Sequence, residues 1–345
     1  MYNSQVKLVN EQLAIKHRAI VAIGCSFVQG QGAINDEIFE KYNFGYTEAE
    51  PLAITVDNNI AKKLLSEYPM LSQSPNGKID FTFMEYENAF VNQLCKVNFN
   101  EKYVPINLGL RGCGNRSSIK ELYFNKIRWD LCNEIIVIYV PSGIERFDFI
   151  NDQTTDHFRW TCMWPNPSPD KTDTPRNDLW KGYREAVYSD KMAIIEQIGH
   201  VQELMTWCNL HHAKLIITPG FDRRYDKDYF KEELDKNIER DDSRIINKNS
   251  KQSWRKKTDS DRYLDMWPWD KMFKPNNSTT MAQLALNQEP SITNKNDFYG
   301  PFLNNRSPNG WITACAHPGQ KAHKLFADIL SKHIKRTFIK GVNHA

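Results

Sequence analysis

No apolar run in this sequence approaches the roughly 20 residues that a membrane-spanning helix requires. The amino-terminal residues 1–18 are polar and lack the apolar core of a signal peptide. We therefore predict a cytoplasmic protein that binds no membrane.

The chain also has little excess charge and no closely spaced cysteine pair. Its 45 lysine and arginine residues nearly balance 42 aspartate and glutamate residues, for a formal net charge of +3. Without a basic stripe, this charge does not predict nucleic-acid binding. The seven cysteines stand singly, which favours reduced thiols over a disulfide scaffold or a zinc site. We expect neither a metal nor an organic cofactor.

What the chain does contain is an alternation of buried strands and helices. Hydrophobic residues make up 40% of the 345, which is enough for a substantial core. Four apolar segments, each of which ends at glycine, proline or serine, are typical of buried parallel strands; they are residues 19–24, 103–108, 134–140 and 213–218. We therefore predict an α/β fold, a three-layer sandwich with a central parallel sheet of about five strands.

We predict one domain over residues 1–345 with three insertions, at about 31–80, 148–182 and 223–310. Residues 147–180 are rich in Asp, Thr, Pro and Trp and predict an irregular segment. Residues 223–262 are dense in both signs of charge and predict a solvated helix or a mobile lid, not core. We interpret Trp267 and Trp269 as core of an insertion rather than as a sugar-binding surface.

The stretch from residue 20 to residue 32 organises the candidate site. Ile20 to Ile23 are typical of a buried strand, and the turn that follows contains Ser26. Ligands bind at the carboxyl edge of open α/β sheets, so Ser26 is a candidate nucleophile. Two alternatives stay open: Gly-Cys-Ser is only a strand-ending turn, or Cys25 is the nucleophile, although Cys25 is expected to point into the core.

Two other loops carry residues suited to the same chemistry. Gly112 follows the second strand, and His317 precedes the last helix. A serine nucleophile needs a base within hydrogen-bond reach and donors aimed at the developing oxyanion. In a parallel sheet these loops emerge at one edge, so the three residues can meet there. Ser117 and Ser118 are predicted to cap the helix that follows Gly112.

In three blocks, which occur in the family's order, the chain resembles the SGNH hydrolases, also called GDSL-type esterases. The first block, Gly-Asp-Ser-x-x-x-Gly, corresponds to residues 24–30, where Cys25 replaces aspartate. The second block, Asn-x-Gly-x-x-Gly, corresponds to residues 107–112. The last, His-Pro followed by Gly/Ala-His, corresponds to residues 317–323. The resemblance covers the sheet framework and leaves the three insertions unexplained.

This resemblance implies a flavodoxin-like SGNH fold and ester hydrolysis through an acyl-serine intermediate. Ser26 would be the nucleophile and would also donate its backbone N–H to the oxyanion. Gly112 would be the second oxyanion donor. His317 would be the general base that activates Ser26 and then protonates the leaving alcohol.

The block that supplies the third oxyanion donor differs from the family pattern. Where the family has Gly-x-Asn-Asp, residues 140–146 read Val-Pro-Ser-Gly-Ile-Glu-Arg, without asparagine. Ser142 would donate from its hydroxyl instead, and the combination of Ser142 with Arg146 resembles phage-type members of the family. Asn115 is a further candidate supporting residue.

The acid of the triad differs as well. The family places aspartate three residues before the histidine, and this chain has Ala314 there. Either Ser26 and His317 act as a dyad, or a backbone carbonyl orients His317, or an acid arrives from elsewhere in the chain. Asp222, at a strand end, is a candidate for that acid.

From these residues we predict a serine esterase. Carbohydrate O-acetyl groups are the first substrate class, because the insertions are polar and carry tryptophan and no long apolar lid is present. Lipid esters or general carboxylic esters are the second. The alternative is a hydrolase that has lost its activity and serves as a binding or structural module, for example in a phage particle. Besides the ester substrate, we keep open two kinds of protein partner, a virion and further copies of this chain.

Overall fold

The computed structural model describes residues 3–42, 53–55, 58–69, 71–73, 77–110, 112–151, 159–163, 181–182, 188–236, 258–290, 307, 309–313 and 317–339. Its strands are β1 (Arg18–Gly24), β2 (Ala53–Thr55), β3 (Ser72–Gln73), β4 (Lys78–Asp80), β5 (Val104–Gly109), β6 (Glu134–Val140), β7 (Phe147–Asn151), β8 (Arg159–Met163) and β9 (Lys214–Ile217). Its helices are α1 (Asn3–Lys16), α2 (Ser26–Gln29), α3 (Asp36–Tyr42), α4 (Asn58–Glu67), α5 (Thr82–Asn88), α6 (Phe90–Gln93), α7 (Asn115–Phe124), α8 (Asp190–Leu210), α9 (Lys227–Asp235), α10 (Thr258–Met266), α11 (Met281–Gln288) and α12 (Gln320–Phe338). A π-helical turn, Leu94–Asn98, extends α6, and short 3-10 turns span Trp129–Leu131, Trp269–Lys271 and Pro275–Asn277.

Four parallel strands form the central sheet, in the order β5-β1-β6-β9. In this register Gly24, at the end of β1, lies beside Gly109 of β5 and Val140 of β6. Apolar residues dominate these strands because helices cover both faces of the sheet. The α/β class and the four strand positions are confirmed. Among the described residues the sheet has four strands, where the sequence predicts about five.

Alternate residues of β1 divide the interior into two hydrophobic layers. Ile20 and Ala22 point into a core shared with α6, α11 and α12. Val21 and Ile23 point into a second core, shared with α1, α7 and α8. Because side chains alternate along a strand, this division places helices on both faces of the sheet, as a three-layer sandwich requires.

The described part of residues 31–84 forms a third and smaller hydrophobic cluster. The short strands β2, β4 and β3 pair antiparallel within it. Its buried members come from α3, α4, α5 and the strands beside them: Ile34, Ile38, Ala61, Leu64, Leu71, Ile79, Phe81 and Met84. This segment therefore has a small hydrophobic core of its own.

Two predictions about the polar segments are wrong. The composition of residues 147–180 predicts an irregular segment. In their described part, however, β7 and β8 pair antiparallel as a hairpin. Residues 223–262 predict a segment outside the core, yet Phe230 and Leu234 of α9 are fully buried in the cluster that contains α8. A charge-rich helix still packs when one face is apolar, and α9 has such a face. Residues 237–257 lie outside the described residues.

The predicted cap of α7 is also wrong. The helix begins at Asn115, so Ser117 and Ser118 lie inside its first turn rather than before it. The hydroxyl of Ser118 donates to the carbonyl oxygen of Gly114 at 2.8 Å, and that of Ser117 shares its one proton between this oxygen, at 3.2 Å, and a carboxylate oxygen of Asp148. The group that caps this helix comes from β7, as described below.

Trp267 and Trp269, which the sequence predicts to be core of an insertion, pack in the hydrophobic cluster of the central sheet and α8. Trp267 is buried and packs against the rings of Tyr225 and Phe230. Trp269 is half-buried, and its Nε1 donates to the carbonyl oxygen of Leu264 at 2.9 Å. A ring that donates into the protein in this way contributes to packing first.

Two further predictions concern the chain as a whole. Within the ranges given above, no helix is both long and apolar enough to cross a bilayer. Five of the scattered cysteines are free thiols: Cys25, Cys95, Cys113, Cys132 and Cys208.

Candidate active site

Ser26 follows β1 directly, at the carboxyl edge of the sheet. Gly24 ends the strand at φ +152°, and a side chain there would strike the carbonyl oxygen of Val140 and Cγ2 of Val28, so the position requires glycine. Cys25 then precedes α2, which begins at Ser26. This sequence of strand, turn and helix places Ser26 where open α/β sheets bind their ligands.

His317 reaches the same edge from the loop before α12. A β-bridge joins Ile312 to Pro318, and the N–H of Thr313 donates to the carbonyl oxygen of His317 at 2.8 Å. Nε2 of His317 lies 2.7 Å from Oγ of Ser26. The structure therefore brings together two residues that are 291 positions apart in the chain.

The contact between Ser26 and His317 has the geometry of a nucleophile and its base. A separation of 2.7 Å is that of a good hydrogen bond to a hydroxyl. Ser26 is 6% exposed, so little water competes for its hydroxyl. With the ring proton on Nδ1, the imidazole accepts the Ser26 proton at Nε2. The Phe27 ring packs against the imidazole, with 5.1 Å between centroids, and restricts its rotation.

Amide side chains hold the start of α12, three residues beyond His317. Nε2 of Gln320 donates to Oδ1 of Asn35 at 3.1 Å and to Oδ1 of Asn88 at 3.0 Å. Nδ2 of Asn88 in turn donates to Asn35 at 2.7 Å. Asn35 and Asn88 therefore brace the segment that contains His317, a role that no sequence pattern indicates.

Gly112 lies in the loop between β5 and α7. The N–H of Leu110 donates to the carbonyl oxygen of Gly24 at 2.9 Å, which ties this loop to the turn before Ser26. Gly112 adopts φ +63°. Among the described residues other than its chain neighbours, none has an atom within 4 Å of the position that a Cβ would take. The neighbouring Arg111 lies outside the described residues.

Asp148 is a residue of this region that sequence reasoning missed. Its carboxylate accepts hydrogen bonds from the N–H of Gly114 at 2.7 Å, the N–H of Ser117 at 2.9 Å and the hydroxyl of Ser117 at 3.1 Å. It thereby caps α7 from a different segment. Burial raises the pKa of Asp148 above its ordinary value. The hydrogen bonds from Gly114 and Ser117 favour the charged form and oppose this rise. A lone aspartate in a segment without periodicity gives no signal of such a partner.

Arg146 connects the same loop to an aromatic wall. Its Nη1 donates to the carbonyl oxygen of Cys113 at 2.9 Å. Its guanidinium lies 5.2 Å from the centroid of the Phe221 ring, and that ring lies 5.3 Å from the ring of Phe27. Since Phe27 packs against His317, a continuous row of rings runs from the histidine to the arginine.

Ser142 follows β6 and belongs to a closed hydrogen-bond network. Its N–H and its hydroxyl both donate to Oδ1 of Asn115, at 2.7 and 3.2 Å. Nδ2 of Asn115 donates to the hydroxyl of Tyr225 at 2.8 Å, which donates to the carbonyl oxygen of Ser142 at 2.8 Å. All three residues are buried. The Ser142 proton is used inside this network, and its part in an oxyanion hole stays a prediction.

Asp222 lies after β9 and has close partners of its own. Its carboxylate accepts the N–H of Ile144 at 2.9 Å and side-chain donors of Arg224 at 2.9 and 2.8 Å. Burial raises the pKa of Asp222 to about 6. These bonds join the loop after β6 to the loop after β9, and the assignment of Asp222 as the acid behind His317 stays a prediction. Ala314, where the family has that acid, lies outside the described residues.

The contact between Ser26 and His317 is of the kind that acyl transfer needs between a nucleophile and its base. Among the described residues, no group of three or more His, Cys, Asp or Glu side chains is arranged to hold a metal ion.

Comparison with known proteins adds one distant structural similarity. The structure is similar to that of an acetyl xylan esterase, Est2A, from the rumen bacterium Butyrivibrio proteoclasticus, with 13% sequence identity and a TM-score of 0.35. The match covers 92% of this chain and 63% of the esterase, so the chain spans less than two thirds of that protein's length. No family model matches the sequence, and no curated protein matches it. At this level of similarity the functional assignment depends on the site itself.

Proposed function

We propose that this chain is a serine esterase in which Ser26 is the nucleophile and His317 the general base. The observation that carries the proposal is the 2.7 Å contact between Ser26 Oγ and His317 Nε2 at the carboxyl edge of a parallel sheet. A hydroxyl held against an imidazole is the arrangement that activates serine for acyl transfer. The resemblance of residues 24–30, 107–112 and 317–323 to the SGNH hydrolases, in particular to phage-type members, supports the same assignment.

In the first half-reaction, Ser26 Oγ attacks the ester carbonyl carbon while Nε2 of His317 takes the hydroxyl proton. The π electrons of the carbonyl move onto its oxygen and form a tetrahedral oxyanion. Collapse of this intermediate restores the carbonyl and breaks the bond to the alcohol oxygen, which receives the proton from His317. In the second half-reaction, water attacks acyl-Ser26 with His317 as base. The carboxylic acid leaves, and Ser26 regains its proton.

Two backbone N–H groups are the proposed oxyanion donors. Ser26 is the first residue of α2, where an N–H has no carbonyl partner inside the helix. Gly112 lies in the loop that the Leu110 N–H ties to Gly24, and its N–H is the second proposed donor, as the family resemblance implies. Ser142 would serve as a third donor after its hydroxyl turned away from Asn115.

For the substrate we propose an acetyl ester of a carbohydrate. The row of rings beside the base ends in the half-buried Phe221 with the Arg146 guanidinium over it. An aromatic face beside a cationic donor suits a sugar ring, which presents C–H groups on one side and hydroxyls on its rim. Esters of long-chain acids are the second substrate class.

The test combines turnover with labelling of the nucleophile. Wild type is assayed on p-nitrophenyl acetate, on acetylated oligosaccharides and on long-chain p-nitrophenyl esters, and is treated with a fluorophosphonate that reacts with activated serine. We expect hydrolysis of the acetyl esters, and labelling at Ser26. The variant Ser26→Ala should lose the label and at least about 1,000-fold in kcat/KM.

Ser331 provides a matched control. It is a buried serine of α12 whose hydroxyl donates to the carbonyl oxygen of Asp328 at 2.8 Å. Ser331→Ala should keep both turnover and labelling. A wild type that hydrolyses none of these esters and takes no label would overturn the proposal and favour a binding or structural module.

A further inference from the structure

The loop that contains Gly112 is held at both ends by groups from other elements. Before Gly112, the N–H of Leu110 is bound to the carbonyl oxygen of Gly24, two residues from the nucleophile. After Gly112, the carbonyl oxygen of Cys113 accepts from Arg146 at 2.9 Å, and the N–H of Gly114 donates to Asp148 at 2.7 Å. Hydrogen bonds to the end of β1 on one side, and to Arg146 and Asp148 on the other, therefore restrict the conformation of Gly112.

Asp148 joins the end of this loop to the first turn of α7. Oδ1 of Asp148 accepts one N–H, from Gly114, and Oδ2 accepts an N–H and a hydroxyl, both from Ser117. Asp148 is 4% exposed, so water does not replace these bonds. A carboxylate accepts at both oxygens, whereas an amide of the same shape accepts at one only. The position therefore requires a carboxylate and not merely a side chain of that size.

Gly114 fits this carboxylate closely. A methyl group added at Gly114 would lie 2.6 Å from both carboxylate oxygens of Asp148, so any larger residue there displaces the carboxylate. The carboxylate therefore contacts the backbone directly, two residues beyond Gly112.

We propose that Asp148 is a positioning residue for the oxyanion hole: from the hairpin, it fixes the backbone N–H of Gly112 relative to Ser26. This inference rests on the proposed function, in which Gly112 donates to the oxyanion. A donor displaced by a fraction of an ångström stabilises the transition state less, while substrate binding in the ground state changes little. Asp148 touches neither substrate nor reacting atoms in this scheme; it acts through the loop.

The experiment compares Asp148→Asn and Gly114→Ala with the wild type. Asp130→Asn is the matched control, because Asp130 is an exposed aspartate whose carboxylate is bound by Arg128. Both test variants should lower kcat on p-nitrophenyl acetate by about 10- to 100-fold, with KM changed by less than about 3-fold. The control should keep the wild-type kcat. Each rate is normalised to the fraction of folded protein, measured by circular dichroism and thermal unfolding.

The outcomes separate this inference from the proposed function. If wild type is active and Ser26 is labelled, but the normalised kcat of Asp148→Asn stays within about 2-fold of wild type, the inference alone is wrong. It is equally wrong if kcat falls only in proportion to the folded fraction, since that is the behaviour of a purely structural cap. If wild type itself neither turns over esters nor takes the label, the proposed function fails and the inference with it.

Discussion

Ser26 and Ser142 are both buried serines that follow neighbouring strands of one sheet, β1 and β6, but their hydroxyls have different partners. The Ser26 hydroxyl meets the imidazole of His317 at 2.7 Å. The Ser142 hydroxyl meets Oδ1 of Asn115 at 3.2 Å, inside a network that Tyr225 closes.

The partner decides what each serine can do. An imidazole accepts a proton and can return it, so the first loop can support a reaction cycle. An amide oxygen accepts a hydrogen bond without taking the proton, so Asn115 stabilises the second loop but does not activate Ser142 as a nucleophile. Position at the carboxyl edge of the sheet is shared by both loops, and it does not by itself mark the nucleophile.

The largest expected effect is on the Ser26 loop. His317→Ala removes the base, and we expect kcat/KM on p-nitrophenyl acetate to fall by at least about 1,000-fold. Ser142→Ala should reduce it by no more than about 10-fold, because the loss of one engaged hydroxyl leaves both backbone donors in place. Steady-state kinetics of the two variants side by side checks this. Equal losses would mean that the two loops do not differ in the way their hydrogen bonds indicate.

The next effect is on the stability of the Ser142 loop. Asn115→Ala leaves the buried N–H of Ser142 and the hydroxyl of Tyr225 without their amide partner, so the free energy of unfolding should fall by about 3 kcal/mol. Urea denaturation measures this loss. The matched control is Asn287→Ala, an exposed asparagine of α11, for which we expect less than about 1 kcal/mol. A loss as small as that of the control would contradict the structural role of the network.

A smaller effect, on the pH dependence of stability, is expected from His323, the second histidine of the segment that contains His317. His323 is fully buried in α12, and its Nδ1 accepts the N–H of Phe90 at 3.2 Å. Burial lowers the pKa of His323 to about 3, below the ordinary value of 6.5 that the unfolded chain retains. The unfolded state therefore binds the proton first as pH falls, and stability is lost between about pH 6.5 and pH 3.

At about pH 5 this single group accounts for about 2 kcal/mol of lost stability relative to neutral pH. Glutamine at position 323 cannot titrate. Between neutral pH and about pH 5, the free energy of unfolding of His323→Gln should therefore fall by about 2 kcal/mol less than that of the wild type. Urea denaturation of wild type and variant at the two pH values gives the difference. An identical pH dependence in both proteins would show that His323 does not remain neutral in the fold.

The strands could be predicted, and Ser26 and His317 could be selected as candidates, because these signals are local. Glu134–Val140 is an apolar run of strand length, and it is a strand with those bounds. Ser26 directly follows such a run, and His317 directly precedes an amphipathic helix, so both could be placed at loop positions before any contact was known.

The supporting residues could not be predicted, because their partners are distant in the chain. Asp148 caps a helix whose first residue is 33 positions earlier, and local spacing favours Ser117 and Ser118 instead. Asn115 and Tyr225 are 110 positions apart and share no pattern. Such pairs depend on which loops the sheet order places side by side, and composition or periodicity does not encode that order.

The register between β1 and β5 has a consequence for how this site can fail. Gly24 pairs with Gly109, and this pairing sets the height of the Gly112 loop relative to Ser26. The next register that keeps the same side chains inward lies two residues away, a jump of about 6.6 Å along the strand. A change of register would therefore move the two loops apart by more than the length of a hydrogen bond, so the register either allows the site to form or prevents it. Fine adjustment of the site is left to its loops.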